Sequence, residues 1–340
     1  MKAAVLYAND DIRYDDYPTP EVSPGTVIVK VHSAGICGSD IPRVLYNGAH
    51  FYPVVLGHEF AGEIVETGQG AASLAVGDKI ACAPLVPCMV CASCQKGHYA
   101  QCSKYSFIGS REQGGFAQYV KIPAINAVKF SKSVSYDQGA FFEPSTVALH
   151  GLKLCGFSGG GSVAVLGGGT IGIFTIQWAK IFGAKSVTVF DIDDERLDLC
   201  RKYGADFVVN ALSDAVEKDL YDYVFETAGV TDTMRLAFEI AANKARVCFI
   251  GTPTQDLCFT AAQFEKMNRK EFTLTGSWMS YSAPFPGEEW NLTAIYFETG
   301  QLKYDSSLIY KRFPMSDAAK AFDLFKTPGA VKGKIMLYNH

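Results

Sequence analysis

The stretch SVAVLGGGTIG, residues Ser162–Gly172, decides the fold of this chain. An apolar strand ends at Gly167, and Gly169 and Gly172 complete a GxGxxG pattern that leads into the apolar helix pattern TIGIFTIQWAKIFGA. Glycines at these positions let the backbone approach a pyrophosphate, which the N-terminus of the following helix attracts. The stretch therefore predicts a dinucleotide-binding βαβ unit, with cofactor contacts from Gly167, Gly169, Thr170, Ile171 and Gly172.

Asp191 strengthens this interpretation. It stands at the end of the next apolar strand, SVTVFD, 19 residues after Gly172, where a carboxylate accepts hydrogen bonds from the adenosine ribose. Because a carboxylate repels a 2′-phosphate, Asp191 favours NAD over NADP, and Arg196 is the cofactor-binding residue that qualifies this preference. The alternative is that Asp191 only caps the helix that follows it.

The pattern on either side of this stretch predicts two kinds of domain. After it, apolar strands alternate with helices, as in YDYVFETAG, MRLAFEIAA and ARVCFIGT, which indicates a parallel sheet. Before it, short runs such as VIVKV and GEIVETG, broken by Gly, Pro and Asp, indicate a largely β domain. We expect an α/β protein with a catalytic domain at 1–150, a cofactor domain at 151–289 and a C-terminal segment, 290–340, whose strand VKGKIMLY rejoins the first domain.

Composition limits the possible partners. The chain has 340 residues, 48% hydrophobic and 19% charged, with a net charge of −4. These values indicate a folded protein without general attraction for nucleic acid or acidic membranes. The N-terminal apolar run is too short for a signal peptide, and the uncharged run Leu154–Ala179 is rich in glycine. We therefore expect a cytoplasmic protein that acts on a small molecule.

Four cysteines predict a structural metal site. Cys88, Cys91, Cys94 and Cys102 fall within one lobe, residues 84–104, at Cys-x2-Cys-x2-Cys-x7-Cys spacing. Four thiolates suit tetrahedral zinc with no open coordination position, so the ion would fold the lobe rather than react. An iron-sulfur cluster and buried packing thiols are the alternatives.

Three further segments supply groups for a catalytic metal. Cys37 lies in GICGSD, His58 and Glu59 lie in VLGHEFAG, and Glu143 lies in FFEPST. Thiolate, imidazole and carboxylate together suit a zinc ion that keeps a position for water or substrate. Taken singly, His58 and Cys37 are more often core residues.

These motifs, in this order over essentially the whole chain, resemble the zinc-dependent medium-chain dehydrogenase family. The resemblance implies a GroES-like β-barrel catalytic domain and a Rossmann domain, with one catalytic zinc, one structural zinc and NAD. Cys37 and His58 resemble the catalytic zinc ligands, and Glu59 and Glu143 are both candidates for the remaining ligand. Ser39 resembles the hydroxyl that hydrogen-bonds the substrate oxygen, and Asp40 the carboxylate that supports His58.

Within the family, the blocks CGSDIPRVLYNGAHFYPVVLGHEF, YSFIGSREQGGFAQY and TGSWMSYSAPFPGEEW resemble the polyol branch. This resemblance implies oxidation of a secondary alcohol of a sugar-alcohol phosphate to the ketose phosphate, with galactitol 1-phosphate and tagatose 6-phosphate as the expected pair. A phosphate needs positively charged donors, for which Arg43, His50 and Arg111 are candidates, and Trp278 is a candidate for the pocket wall.

Several alternatives stay open at this point. The substrate could be an unphosphorylated polyol such as sorbitol or L-iditol, or the chain could be a non-catalytic dinucleotide-binding protein that keeps the fold. A zinc hydrolase would leave the glycine turn and Asp191 unexplained. We also expect a homodimer or homotetramer, in which ARVCFIGT and EFTLTGSW could pair across a two-fold axis.

Overall fold

The computed structural model describes residues 1–253 and 255–339 of the chain. The chain divides into two compact units. The first unit contains residues 1–143, 281–300 and 304–339, and the second contains residues 144–280 and 301–303. The units change at Glu143 and Ser280, a few residues before the limits of 150 and 289 that the sequence suggests, and those limits stay a prediction.

The first unit is mostly β-structure. Its strands are β1 (Lys2–Ala8), β2 (Asp11–Asp16), β3 (Thr26–Gly35), β4 (Val54–Val55), β5 (Glu59–Thr67), β6 (Lys79–Cys82), β7 (Leu85–Val86), β8 (Ser106–Phe107), β9 (Tyr119–Pro123), β10 (Ala127–Lys129), β17 (Ile309–Pro314) and β18 (Lys334–Tyr338). Its helices are α1 (Asp40–Leu45), α2 (Ala92–Gln95), α3 (Tyr136–Ala140), α9 (Glu288–Glu298) and α10 (Ala318–Asp323). Helix α4 (Phe142–Leu154) begins in this unit and continues into the second.

The main sheet of the first unit brings the two ends of the chain together. Its strand order is β10-β6-β5-β3-β18-β17, and β9 also pairs with β3. The C-terminal strand β18 lies antiparallel to β3, with Met336 opposite Gly35. The return of VKGKIMLY to the N-terminal part of the chain, which its sequence predicts, is therefore observed. Alternating apolar residues of these strands form one buried core.

The second unit is a parallel sheet with helices between its strands. Its strands are β11 (Ser162–Leu166), β12 (Ser186–Asp191), β13 (Phe207–Asn210), β14 (Tyr221–Glu226), β15 (Ala241–Phe249) and β16 (Thr273–Gly276). Its helices, besides most of α4, are α5 (Thr170–Ile181), α6 (Asp194–Lys202), α7 (Thr231–Ile240) and α8 (Ala261–Lys270).

The strand order of this sheet is β13-β12-β11-β14-β15-β16, and every pairing in it is parallel. The order reverses direction between β11 and β14, so loops diverge at the carboxyl ends of these two strands. Ligands of such sheets bind at this point. The glycine turn that follows β11 lies there, as its sequence predicts.

One expectation about assembly is wrong. The segment ARVCFIGT forms most of β15, which has β14 on one side and β16 on the other. Its backbone groups are therefore already paired, and it cannot add a strand from a second chain. Of the two segments expected to pair, EFTLTGSW is the one at an edge of the sheet, because it contains the edge strand β16. Among the described residues, no helix is long and apolar enough to cross a membrane.

Candidate functional site

The pairing of β3 with β5 creates the candidate metal site. These strands are antiparallel, and Gly35 near the end of β3 lies opposite Glu59 at the start of β5. Cys37, just after β3, is thereby brought beside His58 and Glu59. A side chain at position 35 would displace the Glu59 carboxylate, since its Cβ would lie 2.4 Å from Oε2 of Glu59. The glycine thus provides the space that the Glu59 carboxylate occupies.

The geometry fits a metal ion. The ligand atoms of Cys37, His58 and Glu59 all lie within 4.8 Å of one another. His58 and Glu59 are buried, and Cys37 is partly exposed. A thiolate, an imidazole and a carboxylate are the donor types that catalytic zinc sites use, and three protein ligands leave one position open for water or substrate.

Asp40 and Ser39 lie beside this cluster. Asp40 is fully buried and its Oδ1 lies 3.5 Å from Nδ1 of His58, while its Oδ2 accepts a hydrogen bond from the backbone N–H of Cys37 at 3.1 Å. Ser39 is exposed, and its hydroxyl donates to Sγ of Cys37 at 3.4 Å. With Nδ1 facing Asp40, His58 keeps Nε2 for a metal, which is the arrangement that orients histidine ligands in zinc sites.

Glu143 is near the cluster but not part of it. Its carboxylate is not among the groups whose ligand atoms lie within 4.8 Å of one another. Burial raises the pKa of Glu143 to about 7, His58 opposes this rise, and the carboxylates of Glu59 and Asp40 add to it. Of the two glutamates that the sequence leaves as candidate ligands, Glu59 is therefore the one that the structure groups with Cys37 and His58.

Lys334 is a site residue that the sequence analysis missed. It begins β18, is buried, and its Nζ donates to Oε2 of Glu59 at 2.5 Å and to the backbone oxygen of Ile36 at 3.2 Å. Burial opposes the charge, but Glu59 and Cys37 raise the pKa of Lys334 above its ordinary value. Lys334 is the first residue of the apolar run KIMLY, and the sequence carries no signal that it faces a carboxylate.

The four-cysteine lobe forms a second cluster. Sγ atoms of Cys88, Cys91, Cys94 and Cys102 lie within 4.8 Å of one another. Backbone N–H groups point at the sulfur atoms: Cys88 N–H donates to Cys102 at 3.3 Å, and Cys91 N–H donates to Cys88 at 3.4 Å. Backbone N–H groups of Cys94 and Ser103 lower the pKa of Cys91 to about 6. Stabilised thiolates are what a closed all-cysteine zinc site requires.

The glycine turn has the geometry that its pattern predicts. Gly167 follows β11 with φ of +105°, a conformation that strongly favours glycine. Gly169 precedes the first residue of α5, Thr170, and a Cβ on Gly172 would lie 1.9 Å from the backbone oxygen of Gly167. The lack of a side chain at Gly172 lets α5 pack closely against the turn, and a phosphate group would bind at the N-terminus of this helix.

Asp191 lies at the end of β12, and its side chain hydrogen-bonds the backbone of the glycine turn. Its Oδ2 accepts the backbone N–H of Gly168 at 2.7 Å, and its Oδ1 accepts the N–H of Ile192 at the same distance. The residue that caps α6 is Asp193, whose side chain accepts the N–H of Arg196 at 3.1 Å. The alternative that Asp191 only caps the helix is therefore wrong.

Glu226, which the sequence analysis also missed, organises the loop after β14. This fully buried carboxylate accepts the N–H groups of Ala228 and Gly229, both at 2.9 Å, and the hydroxyl of Thr233 at 2.7 Å. Thr227, between these residues, donates to the backbone oxygen of Gly167 at 2.9 Å. The loop is thereby tied to the glycine turn. The signal was an acid at the end of an apolar strand, in VFETAG.

The candidate substrate residues fall into two groups. Arg43, His50 and Arg111 belong to the first unit, and Nη1 of Arg43 donates to the hydroxyl of Ser39 at 2.9 Å. Trp278 belongs to the second unit and is 52% exposed, so its place in a pocket wall stays a prediction.

Comparison with known families agrees with the two units. The family model for the alcohol dehydrogenase GroES-like domain matches residues 23–132, and the model for zinc-binding dehydrogenases matches residues 170–294. The predicted fold class, a GroES-like domain joined to a Rossmann-type parallel-sheet domain, is confirmed.

Individual relatives are similar over three quarters of the chain or more. The chain is 40% identical over 346 residues to galactitol 1-phosphate 5-dehydrogenase of Escherichia coli K12, which covers 99% of each chain. It is 31% identical to sorbitol dehydrogenase of Bacillus subtilis, over 75% of this chain and 76% of the relative.

Solved structures show the same likeness. The crystal structure of galactitol-1-phosphate dehydrogenase from Escherichia coli matches with a TM-score of 0.95 at 41% identity, over 99% of this chain and 100% of that one. A chain from Sinorhizobium meliloti described as a zinc-binding dehydrogenase, bound to NADP, matches with a TM-score of 0.91 at 28% identity, over 99% and 98% of the two chains. The chain therefore belongs to the zinc-binding dehydrogenase family with an N-terminal alcohol dehydrogenase GroES-like domain.

Proposed function

We propose that this protein is a zinc- and NAD-dependent dehydrogenase that oxidises a secondary alcohol of galactitol 1-phosphate to give tagatose 6-phosphate. The observation that supports this most strongly is the 40% identity to galactitol 1-phosphate 5-dehydrogenase over 99% of both chains. Fold alone does not determine a substrate. The proposal therefore also depends on the intact donor set of Cys37, His58 and Glu59.

The proposal gives the two donor clusters different tasks. Cys37, His58 and Glu59 hold the catalytic zinc, and the four cysteines of the lobe hold a structural zinc. A zinc ion in the first site supplies Lewis-acid polarisation of the substrate hydroxyl, and NAD supplies the acceptor for the hydride.

Ser39 and Asp40 handle the proton and the orientation of the histidine. Oγ of Ser39 lies on the exposed side of Cys37, where it can accept the proton of the substrate hydroxyl and pass it to water. Asp40, whose Oδ1 lies 3.5 Å from Nδ1 of His58, orients the ring so that Nε2 faces the metal. Removing this proton while the hydride leaves the carbon converts the secondary alcohol to the ketone.

Glu143 has a separate role in this proposal. Its carboxylate lies outside the donor cluster, and in this proposal it hydrogen-bonds a hydroxyl of the substrate or a water molecule instead of binding the metal. Its buried environment near Glu59 and Asp40 suits a group that accepts or donates a hydrogen bond inside a site.

We assign NAD as the cofactor. The glycine turn would bind the pyrophosphate through Gly167, Gly169, Thr170, Ile171 and Gly172. Asp191 stands where the adenosine ribose would bind, and its charge disfavours a 2′-phosphate. Arg196, in the first turn of α6, is the nearby positive charge that would weaken this discrimination.

Location and assembly complete the proposal. Zinc thiolates persist in reducing compartments, and all ten cysteines are unpaired, which favours the cytoplasm. A homodimer or homotetramer is supported by the position of β16 at the end of the sheet, where a second copy could extend it.

Formation of NADH by the purified protein tests the proposal. Galactitol 1-phosphate, galactitol and sorbitol are each offered with NAD and, separately, with NADP. We expect rapid turnover of galactitol 1-phosphate with NAD, and slow turnover of the plain polyols. Faster turnover of sorbitol would assign the protein to plain polyols, and no turnover of any alcohol would favour a non-catalytic dinucleotide-binding protein.

The variant Cys37→Ala tests whether the turnover depends on the catalytic donor cluster. It removes one donor of the catalytic cluster and leaves the cysteine lobe and the glycine turn unchanged. We expect this variant to lose turnover and still bind NAD, as measured by quenching of tryptophan fluorescence. A Cys37→Ala protein with the wild-type rate would remove Cys37 from the mechanism.

A further inference from the structure

Arg111 has a positive charge that no carboxylate in the described part of the chain compensates. Among residues 1–253 and 255–339, no acidic group lies within 4.0 Å of its guanidinium. Its contacts are with Tyr105, whose ring centroid lies 4.8 Å away and whose hydroxyl lies 3.5 Å from Nη2. Arg13 and Arg269, in contrast, form ion pairs with neighbouring acids. A guanidinium that is supported from one side and has no counter-ion is suited to bind an anion.

The turn that contains Arg111 is fixed against the strand that leads to His58. Gly114 N–H donates to the backbone oxygen of Val55 at 2.7 Å, and Gly115 N–H donates to that of Gly57 at 2.7 Å. The ring of Phe107, four residues before Arg111, lies edge-on to the His58 ring with centroids 5.5 Å apart. The segment that contains Arg111 is therefore anchored beside the segment that carries His58.

Arg43 approaches the same site from the Cys37 side. Its Nη1 donates to the backbone oxygen of Ser39 at 2.5 Å and to the Ser39 hydroxyl at 2.9 Å. Within the described residues its only acidic neighbour is Asp40, at 3.8 Å, which already faces His58. Nε and Nη2 of Arg43 have no hydrogen-bond partner in this part of the chain, so three N–H groups are free for a ligand.

His50 is close to both arginines. Partial burial lowers the pKa of His50, and the positive charges of Arg111 and then Arg43 lower it further. Such an effect requires both guanidinium groups to be near the imidazole, since charge interactions weaken with distance. Two guanidinium groups and a neutral imidazole, from three separate segments of the chain, are thus brought together as hydrogen-bond donors.

We propose that Arg43, His50 and Arg111 form the subsite that binds the phosphate of the substrate, with Arg111 as its central donor. This inference rests on the proposed function. The ligand is a phosphate monoester dianion whose ester lies four carbon–carbon bonds from the reacting carbon. Arg43 reaches both ends of the substrate in this proposal. Its Nη1 contacts Ser39, which hydrogen-bonds the reacting hydroxyl, and its Nε and Nη2 can donate to the phosphate.

Glu112, the neighbour of Arg111, does not cancel this charge. It lines a separate cavity of about 340 Å³, together with Met1, Tyr17 and Lys121, and neither Arg111 nor His50 lines that cavity. The contacts of the Arg111 guanidinium are with Tyr105 and not with the Glu112 carboxylate, so Arg111 can bind an anion.

The test compares kcat/KM for galactitol 1-phosphate with kcat/KM for galactitol, the latter at concentrations that give a measurable rate. Arg111→Met should lower the value for the phosphate about 10- to 100-fold, mainly through KM, since one charge-assisted contact is lost. The value for galactitol should not change. Arg111→Lys should recover part of the loss. Arg13→Met, an exposed arginine paired with Asp11, is the matched control and should change neither value.

The outcomes separate the two proposals. A wild-type protein that uses galactitol as well as its phosphate would contradict the proposed substrate and, with it, the subsite. A wild-type protein that prefers the phosphate, with Arg111→Met and His50→Gln keeping that preference, would overturn the subsite alone. Zinc content and circular dichroism of each variant show that the fold and the metals are retained.

Discussion

Replacing Lys334 with methionine is the prediction that tests the site most sharply without an activity assay. The substitution keeps an unbranched apolar side chain and removes the charge that faces Glu59. Lys334 is 7% exposed at its side chain and Glu59 is 2% exposed, with Nζ and Oε2 separated by 2.5 Å. The Glu59 carboxylate would remain buried without its partner, and the backbone oxygen of Ile36 would lose its donor.

The expected cost follows from this burial. Removing one partner of a buried ion pair destabilises a protein by about 3–5 kcal/mol, because the remaining charge is uncompensated. An exposed pair contributes only about 0–1 kcal/mol. Lys129 and Asp78, 2.8 Å apart in the same unit with 50% and 20% exposed side chains, form a pair of the second kind. Lys334→Met should therefore destabilise far more than Lys129→Met.

The assay is urea unfolding followed by circular dichroism, on protein from which zinc has been removed with a chelator, because a zinc ion bound by Glu59 would compensate its charge and shift the apparent stability. The double variant Lys334→Met with Glu59→Gln removes both charges and should recover a large part of the loss. The reasoning is refuted if Lys334→Met and Lys129→Met have the same free energy of unfolding to within about 1 kcal/mol.

Three further predictions concern the rest of the chain. Cys94→Ser should reduce bound zinc by one equivalent per chain and lower the melting temperature, as metal analysis and calorimetry would show; unchanged zinc content would contradict the structural site. Gly172→Val should abolish NAD binding, measured by fluorescence, while both zinc ions remain, because a Cβ would meet the backbone oxygen of Gly167 at 1.9 Å; normal NAD affinity would disprove this. Lys270→Met should cost at least about 2 kcal/mol in urea unfolding, because its Nζ binds three backbone oxygens at the end of α7; a wild-type midpoint would exclude this capping role.

Local patterns in the sequence were sufficient for the fold and for two of the sites. The glycine turn, the strands around it and the cysteine lobe depend on residues that are close in sequence, so spacing alone indicates their geometry. The grouping of Cys37 with His58 needed one tertiary contact, the pairing of β3 with β5, and the family resemblance supplied the expectation.

What the sequence could not show depends on distant contacts. Lys334 lies 275 residues from Glu59, and nothing in KIMLY indicates that its lysine faces a carboxylate. The hydrogen bond between Asp191 and Gly168 depends on the register of two strands. Within the described residues the Arg111 guanidinium contacts Tyr105 and has no acidic group close to it, which the neighbouring Glu112 in the sequence does not indicate.

The most direct test of the account is the rate of NADH formation from galactitol 1-phosphate, measured before zinc removal, after removal with a chelator, and after zinc is returned. We predict that the rate is lost with the zinc of the Cys37, His58 and Glu59 site and returns when zinc is restored, while protein with Cys37→Ala stays inactive throughout. Undiminished turnover by protein shown to contain no metal would contradict the account.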